Sequence, residues 1–186
     1  MNQGDTIFTR DINNREITFR YPVLSDAPAL MEYINTLSSE RTFIRFQGEQ
    51  ISLEEEKRYL ESLLKSMQEK SGGAILAFYE DTLVGVIDLR PQEKIEKHVL
   101  DFGLSVKKEY RDQGIGEALI TIMLDQVRLH LTHIKIITLS VQADNFGAIH
   151  LYQKLGFIEY GRLPKGIYRD NEFADKIFMH LQLAHE

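Results

Sequence analysis

Between Val106 and Leu119 the chain reads Val-Lys-Lys-Glu-Tyr-Arg-Asp-Gln-Gly-Ile-Gly-Glu-Ala-Leu. An alternating apolar run ends, charged residues turn the chain, and two glycines open a stretch with helical spacing. The first N–H groups of a helix have no partner within it. With the positive end of the helix dipole they form a site for anions. Gly114 and Gly116 carry no Cβ, so the backbone there can come close to a ligand. A diphosphate suits such a site.

Three readings of these glycines compete. A dinucleotide fingerprint needs a third glycine three residues after the second, and that position is Leu119; Asp144 beyond the next strand matches the expected acid only superficially. A phosphate loop of the Gly-Lys-Ser/Thr type is absent. The third pattern, Arg-x-x-Gly-x-Gly, is present as Arg111, Gly114 and Gly116.

The elements that must position this turn follow from spacing. Glu16 to Tyr21 alternates as a strand. Ser25 or Asp26 can cap a helix with Pro28 in its first turn. Ser52 and Glu55 form a capping box ahead of Leu53, Leu60, Leu63, Leu64 and Met67 at helical spacing. Residues 74–79 and 83–89 read as a hairpin. In 99–106, Leu100, Phe102, Leu104 and Val106 share one face. A helix is predicted from about Ile115 to Leu131, and residues 134–141 form a strand rich in β-branched residues. A short helix runs from Asn145 or Phe146 to Leu155, with Gly156 as its stop. Strands at 157–160 and 176–183 close the chain. The stretch around Glu40–Gln50 and the late segment Arg162–Phe173 read as loops. One β-α-β crossover at 99–141 among antiparallel neighbours makes an α/β sheet with helices on both faces.

The 186 residues fit one domain, 1–186, with 43% apolar and 27% charged residues, an ordinary soluble composition. No apolar run suits a membrane span and the first residues do not read as a secretory signal, so the expected location is cytoplasmic. The absence of cysteine excludes disulfides and a cysteine nucleophile. His130 and His133 have no nearby acidic ligand, and no metal is expected. The net charge of −6 disfavours nucleic acid as a partner.

Arg111-x-x-Gly114-x-Gly116 resembles the pyrophosphate loop of the GNAT superfamily of N-acetyltransferases. Downstream, Val141-Gln-Ala-Asp-Asn145, Ala148 and Leu151-Tyr-Gln-Lys-Leu-Gly-Phe157 are similar to that family's second cofactor motif. The resemblance is strongest from Leu104 to Phe157. It implies a GNAT-type mixed, mostly antiparallel sheet of about six to seven strands, with a splayed central strand pair that receives the pantetheine of acetyl-CoA. On this likeness, main-chain groups of Leu104, Ser105 and Val106 bind pantetheine, and the Val106 N–H faces the thioester oxygen as an oxyanion donor. Arg111, Asp112, Gln113, Gly114, Ile115, Gly116 and Glu117 hold the pyrophosphate. Asn145 lies near the pantetheine or the amine, and Tyr152 protonates the leaving thiolate. Read by themselves, Asn145 is a helix cap and Tyr152 a packed aromatic.

An amine with a pKa of about 10 must lose a proton before it attacks, and a carboxylate would serve. Asp101, Asp88 and His98 are the candidates, with Asp101 grouped with Tyr152 and Asn145 as catalytic. Phe43, Arg45, Phe46 and Tyr168 are candidates for the acceptor site, where Arg41, Arg162, Lys165 and Arg169 would suit an acidic acceptor if they converged. The expected activity is direct transfer from acetyl-CoA to a small-molecule amine by a monomer or homodimer. The alternatives are a protein N-terminal or lysine acetyltransferase and a non-catalytic acetyl-CoA sensor.

Overall fold

A computed structural model describes residues 1–183. Its strands are β1 (Thr6–Ile12), β2 (Arg15–Arg20), β3 (Gly73–Tyr79), β4 (Thr82–Pro91), β5 (Val99–Val106), β6 (Ile136–Gln142), β7 (Ile158–Arg169) and β8 (Glu172–Gln182). Its helices are α1 (Ala27–Ser39), α2 (Leu53–Gln68), α3 (Ile115–His130) and α4 (Phe146–Lys154). The strands form one sheet in the order β1-β2-β3-β4-β5-β6-β8-β7. Every neighbouring pair is antiparallel except β5 and β6, which are joined through α3 and run parallel.

The sheet has eight strands, one more than the upper expectation, because residues 6–12 pair with β2 around a tight turn. Asn13 and Asn14 both sit at positive φ, 54° and 59°, as a two-residue hairpin turn of the favoured hand demands. The late segment 162–173 is not a loop but the far part of the β7–β8 hairpin. A register shift between Leu163 and Ile167 takes up Pro164, which has no N–H to give a ladder.

Helices cover both faces. On β5, the Ser105 hydroxyl meets Tyr33 Oη of α1 at 3.1 Å. On β4, a Cβ added at Gly85 would touch Leu119 and Ile115 of α3. Ser105 pairs with Val86, and side chains alternate along a strand, so α1 and α3 lie on opposite faces. Phe19, Leu37, Leu60, Leu76, Ile87 and Leu100 are among the fully buried side chains.

α2 starts as its sequence predicts: the Ser52 hydroxyl accepts from Glu55 N–H and the Glu55 carboxylate accepts from Ser52 N–H. α1 starts differently. A single 3-10 turn at Leu24–Asp26 precedes it, and Asp26 makes no side-chain cap. Its carboxylate instead accepts from the Val23 N–H at 2.8 Å and from both terminal nitrogens of Arg20 at 2.6 and 2.8 Å. Arg20 also lies over the Phe78 ring, fixing α1 to β2 and β3.

Candidate active site

β5 and β6 pair at three rungs only, Val99 with Ile136, Leu100 with Ile137 and Asp101 with Thr138. Both strands continue beyond that point, β5 to Val106 and β6 to Gln142. A wedge therefore opens after Asp101, with an unpaired edge of β5 along one side. Lys107 N–H donates to Val84 O of β4 at 2.8 Å. Successive residues of an antiparallel strand turn their main-chain groups to opposite edges. Leu104 and Val106 thus direct theirs into the wedge, while the Ser105 main chain turns to β4. Of these groups, Val106 O already accepts from Arg111 Nε at 2.9 Å.

The chain leaves β5 through a 3-10 turn at Lys108–Tyr110 and enters α3 through Gly114, at φ +90°. That left-handed conformation disfavours a side chain. No side chain caps α3, so the N–H groups of its first turn remain available. Gly116 is not demanded by the fold: its φ is unexceptional, and an added Cβ would meet Leu151, Leu104 and Val106 at ordinary distances of 3.5, 3.6 and 3.8 Å. The space beside it is spare within the chain itself, as a site for close approach of a ligand would require.

The side chains of this turn brace the loop. Arg111 Nη2 lies 2.5 Å from Glu40 Oε2 at the end of α1, so one guanidinium ties the turn to β5 and to the α1–α2 connection. Gln113 accepts from Arg15 and donates to Glu109 O. Glu117 pairs with Lys154 at 2.8 Å, joining the start of α3 to the end of α4. Asp112 takes a positive φ of 58°, and Ile115 is buried in the core.

Tyr152 of α4 is 7% exposed and packs edge-on against Phe102, with ring centroids 5.7 Å apart, and against Phe157. Phe102 is the first β5 residue beyond the last rung shared with β6, so the phenol stands where the wedge begins. Its hydroxyl has no hydrogen-bond partner among the described residues, and burial pushes its pKa up to about 12. Asn145 follows the end of β6 and caps α4, its Oδ1 accepting from Ala148 N–H at 3.3 Å.

On the α1–α2 face, Asp101 receives Arg90 Nη2 at 2.7 Å and the Thr138 hydroxyl at 3.4 Å. Asp88 is buried beside Gly103, its cross-strand partner, and lies 3.2 Å from Arg90 Nη1. Burial is the main cause that raises its pKa; Arg90 and the Tyr59 hydroxyl act against it. His98 stands at the other end of β5, before its first residue.

The acceptor candidates are spread over the α1–α2 connection and the β7–β8 hairpin. Phe43 is half-exposed and lies under the Arg169 guanidinium, 4.8 Å from its ring centre. Arg45 is exposed and Phe46 partly buried. Tyr168 is exposed at the hairpin tip, against Phe173 and Asn171. The cations are dispersed: Arg162 pairs with Glu159 and Asp175, and Lys165 sits over Phe173. Arg169, partly buried, is the group that organises this region. It donates to Gln142 Oε1 at 2.6 Å, pairs with Asp144 at 2.9 Å and reaches Thr42 O. A cleft of about 410 Å³ opens beside it, with Asp144, Phe146, Asp170, Glu172 and Phe173 in its walls.

Glu56, on the inner side of α2, is 5% exposed and has no side-chain hydrogen bond or ion pair among the described residues. Burial raises its pKa to about 6 from 4.5. The folded chain therefore holds this carboxyl's proton more tightly than the unfolded one. The contribution of Glu56 favours folding below about pH 4.5 and is lost as pH rises through about 6. Glu56→Gln is expected to stabilise the fold at pH 7 by on the order of 1–2 kcal/mol, with the gain shrinking toward pH 4.5. Urea titrations of both forms at pH 5 and 7 check this; a gain that does not grow with pH contradicts it.

Among the described residues no helix is long and apolar enough to cross a membrane, and no three acidic or histidine side chains gather as metal ligands.

Comparison with known proteins agrees with this geometry. The chain is 30% identical over 106 residues to the L-amino acid N-acetyltransferase AaaT of Escherichia coli K12, covering 56% of this chain and 65% of that one. It is 32% identical over 125 residues to the [ribosomal protein bS18]-alanine N-acetyltransferase of the same organism, covering 65% and 64%. The match thus spans less than two thirds of these relatives. Its fold superposes on an acetyltransferase of the GNAT family from Streptococcus pneumoniae with a TM-score of 0.83 and 25% identity, over 90% of this chain and 99% of that one. It also superposes on yncA of Salmonella typhimurium, solved with acetyl-CoA, with a TM-score of 0.78 over 91% and 95%; at 17% identity that likeness is one of fold. The model of the acetyltransferase (GNAT) family matches residues 33–157, and the chain belongs to that family.

Proposed function

We propose that this chain transfers the acetyl group of acetyl-CoA directly to the amine of a small molecule. The observation that carries the reading is the meeting of three features at one place: the wedge between β5 and β6, the uncapped start of α3 at its mouth, and the unpartnered Tyr152 hydroxyl at its apex. Pantetheine is an extended chain with amide groups and can complete the free edge of β5 through Leu104 and Val106. The diphosphate then reaches the N–H groups of residues 115–117. Tyr152 stands against Phe102, so a sulfur within its reach brings the thioester oxygen nearer to the Leu104 N–H than to the Val106 N–H. We therefore assign Leu104 N–H as the oxyanion donor and Val106 N–H to the pantetheine. Asn145, with its amide nitrogen unused by the cap, can bond the pantetheine or the amine.

One relative is an L-amino acid N-acetyltransferase and another a [ribosomal protein bS18]-alanine N-acetyltransferase. The open cleft beside Arg169, walled by Phe146 and Phe173, gives a specific reason to keep a peptide acceptor as the second reading.

Acetyl-CoA at 100 times its dissociation constant is expected to add about 2.7 kcal/mol of stability, a rise in Tm of roughly 5–10 °C, with no rise from NAD. Release of CoA is then measured with L-amino acids, spermidine and an alanine-initiated peptide. Absence of any thermal shift at millimolar acetyl-CoA overturns the donor assignment. A shift without CoA release favours a non-catalytic acetyl-CoA sensor.

A further inference from the structure

We propose that Asp88, rather than Asp101, is the group that takes the proton of the attacking amine, with Tyr59 and Arg90 holding it in place. This rests on the transferase reading above and names a catalytic residue for it.

The position of Asp88 explains a glycine. A Cβ at Gly103 would fall 2.6 Å from Asp88 Oδ1. The carboxylate lies across β5 at that residue, and only glycine leaves it room. Gly103 is two residues past the last rung shared with β6 and directly precedes Leu104, whose N–H turns into the wedge. Phe102, on the other side of Gly103, points to the opposite face and carries Tyr152. Proton acceptor and proton donor therefore stand on opposite faces of the same short stretch of free edge. Addition of an amine to a thioester gives a tetrahedral intermediate in which nitrogen and sulfur occupy different corners, so an acceptor and a donor on different sides can each serve one of them.

Asp101 is placed for a different task. It sits on the last closed rung, and its two oxygens receive Arg90 and Thr138. Asp88 is more deeply buried, and its Oδ2 has the Arg90 charge nearby without a well-directed hydrogen bond. Packing alone gives no reason to bury a carboxylate there, since desolvating a charge is costly even beside a cation such as Arg90. The charged and titratable groups facing Asp88 are Arg90 from β4, Asp101 from β5 and Tyr59 from α2, with Glu56 one turn before Tyr59. Burial makes Asp88 a stronger proton acceptor than a solvated carboxylate, and the Arg90 guanidinium acts in the opposite direction.

Asp88, directly or through one water, takes a proton from the ammonium. The neutral amine attacks the thioester carbonyl carbon, forming the C–N bond. The C–S bond then breaks, Tyr152 gives its proton to the leaving sulfur, and the proton lost from the acylated nitrogen restores Tyr152 through solvent. Asp88 returns its proton to solvent, so one proton is released for each ammonium acetylated.

The test compares Asp88→Asn, Asp101→Asn and Gly103→Ala with the full wild-type chain. Acetyl-CoA affinity is read by thermal shift. CoA release is followed against pH with the amines named above and, without amine, with water as nucleophile. Asp88→Asn is expected to keep acetyl-CoA affinity, to lower kcat/KM by about 10²–10⁴ and to remove the acidic limb of its pH profile. Gly103→Ala, which displaces the carboxylate without removing it, is expected to lower kcat with the affinity kept. Asp101→Asn is expected to retain the limb. Loss of the limb in Asp101→Asn but not in Asp88→Asn overturns the assignment alone. A wild-type chain that binds acetyl-CoA but releases CoA to none of these nucleophiles overturns the assignment together with the transferase reading.

Discussion

Gly116→Glu is expected to abolish acetyl-CoA binding while the chain stays folded. The two halves of this expectation have separate causes. The fold tolerates a side chain at 116 because its φ is ordinary and an added Cβ meets Leu151, Leu104 and Val106 at contact distance without overlap. Glutamate is also an ordinary helix residue and is favoured in a first turn by the helix dipole. The ligand does not tolerate it. The N–H groups at the start of α3 attract a diphosphate only if it can reach them, and a carboxylate there both fills the approach and repels the phosphate charge. A loss of at least about 100-fold in affinity, or ~2.7 kcal/mol, is expected by calorimetric titration, with a Tm within a few degrees of the wild type. Gly116→Ala separates the causes, since it blocks approach without adding charge and should fall between the two. Unchanged affinity in Gly116→Glu would place the diphosphate elsewhere. Gly114 makes a poorer test: at φ +90° any side chain strains the turn, so folding and binding would fail together.

This contrast between two glycines also indicates what could be read from sequence. Arg111, Gly114 and Gly116 are close along the chain, and the chemistry of a helix start is local, so a reader of residues alone can find the turn. α2 was legible for the same reason, since Ser52 and Glu55 complete their capping box within four residues. Other features depend on tertiary convergence. Asp88 and Gly103 are fifteen residues apart in the chain, and their relation emerges only when the β4–β5 register places them opposite each other. Tyr59 reaches the same spot from a helix whose buried residues, Glu56 apart, are apolar. The Arg169 bridge between the α1–α2 connection and the end of β6 joins Thr42 and Gln142, far apart in the chain, and no local pattern announces it. The two errors of fold have local causes. β1 is mostly polar and exposed, so it lacks the alternation that marks a half-buried strand, although Asn13-Asn14 was an available hairpin signal. The outer part of β7 contains Gly161, Pro164 and Gly166, which read as breakers but are absorbed by irregular pairing with β8.

Tyr152→Phe is expected to lower kcat by about 10²–10³ with acetyl-CoA affinity nearly unchanged. The ring is the structural part of this residue: it fills the space between Phe102 and Phe157, and phenylalanine keeps that packing. The hydroxyl has no partner among the described residues, so removing it breaks no hydrogen bond and should leave stability within about 0.5 kcal/mol of the wild type. A structural tyrosine would behave differently, because a buried hydroxyl that serves the fold is usually bonded to it. Burial holds the phenol protonated at every working pH, with a pKa of about 12. A free thiol has a pKa of about 8.5, so in water such a phenol would be a weak donor to a thiolate. Inside the wedge the same desolvation that raises the phenol also raises the proton affinity of a thiolate formed beside it, and the transfer is brought closer to balance. The buried phenol also constrains the pH profile. The basic limb of kcat/KM should not be set by Tyr152 below about pH 10, and Tyr152→Phe should lower the whole profile without moving its acidic limb. A shift of that limb would link Tyr152 to deprotonation of the amine. Unaltered turnover would mean that water or another group protonates the sulfur.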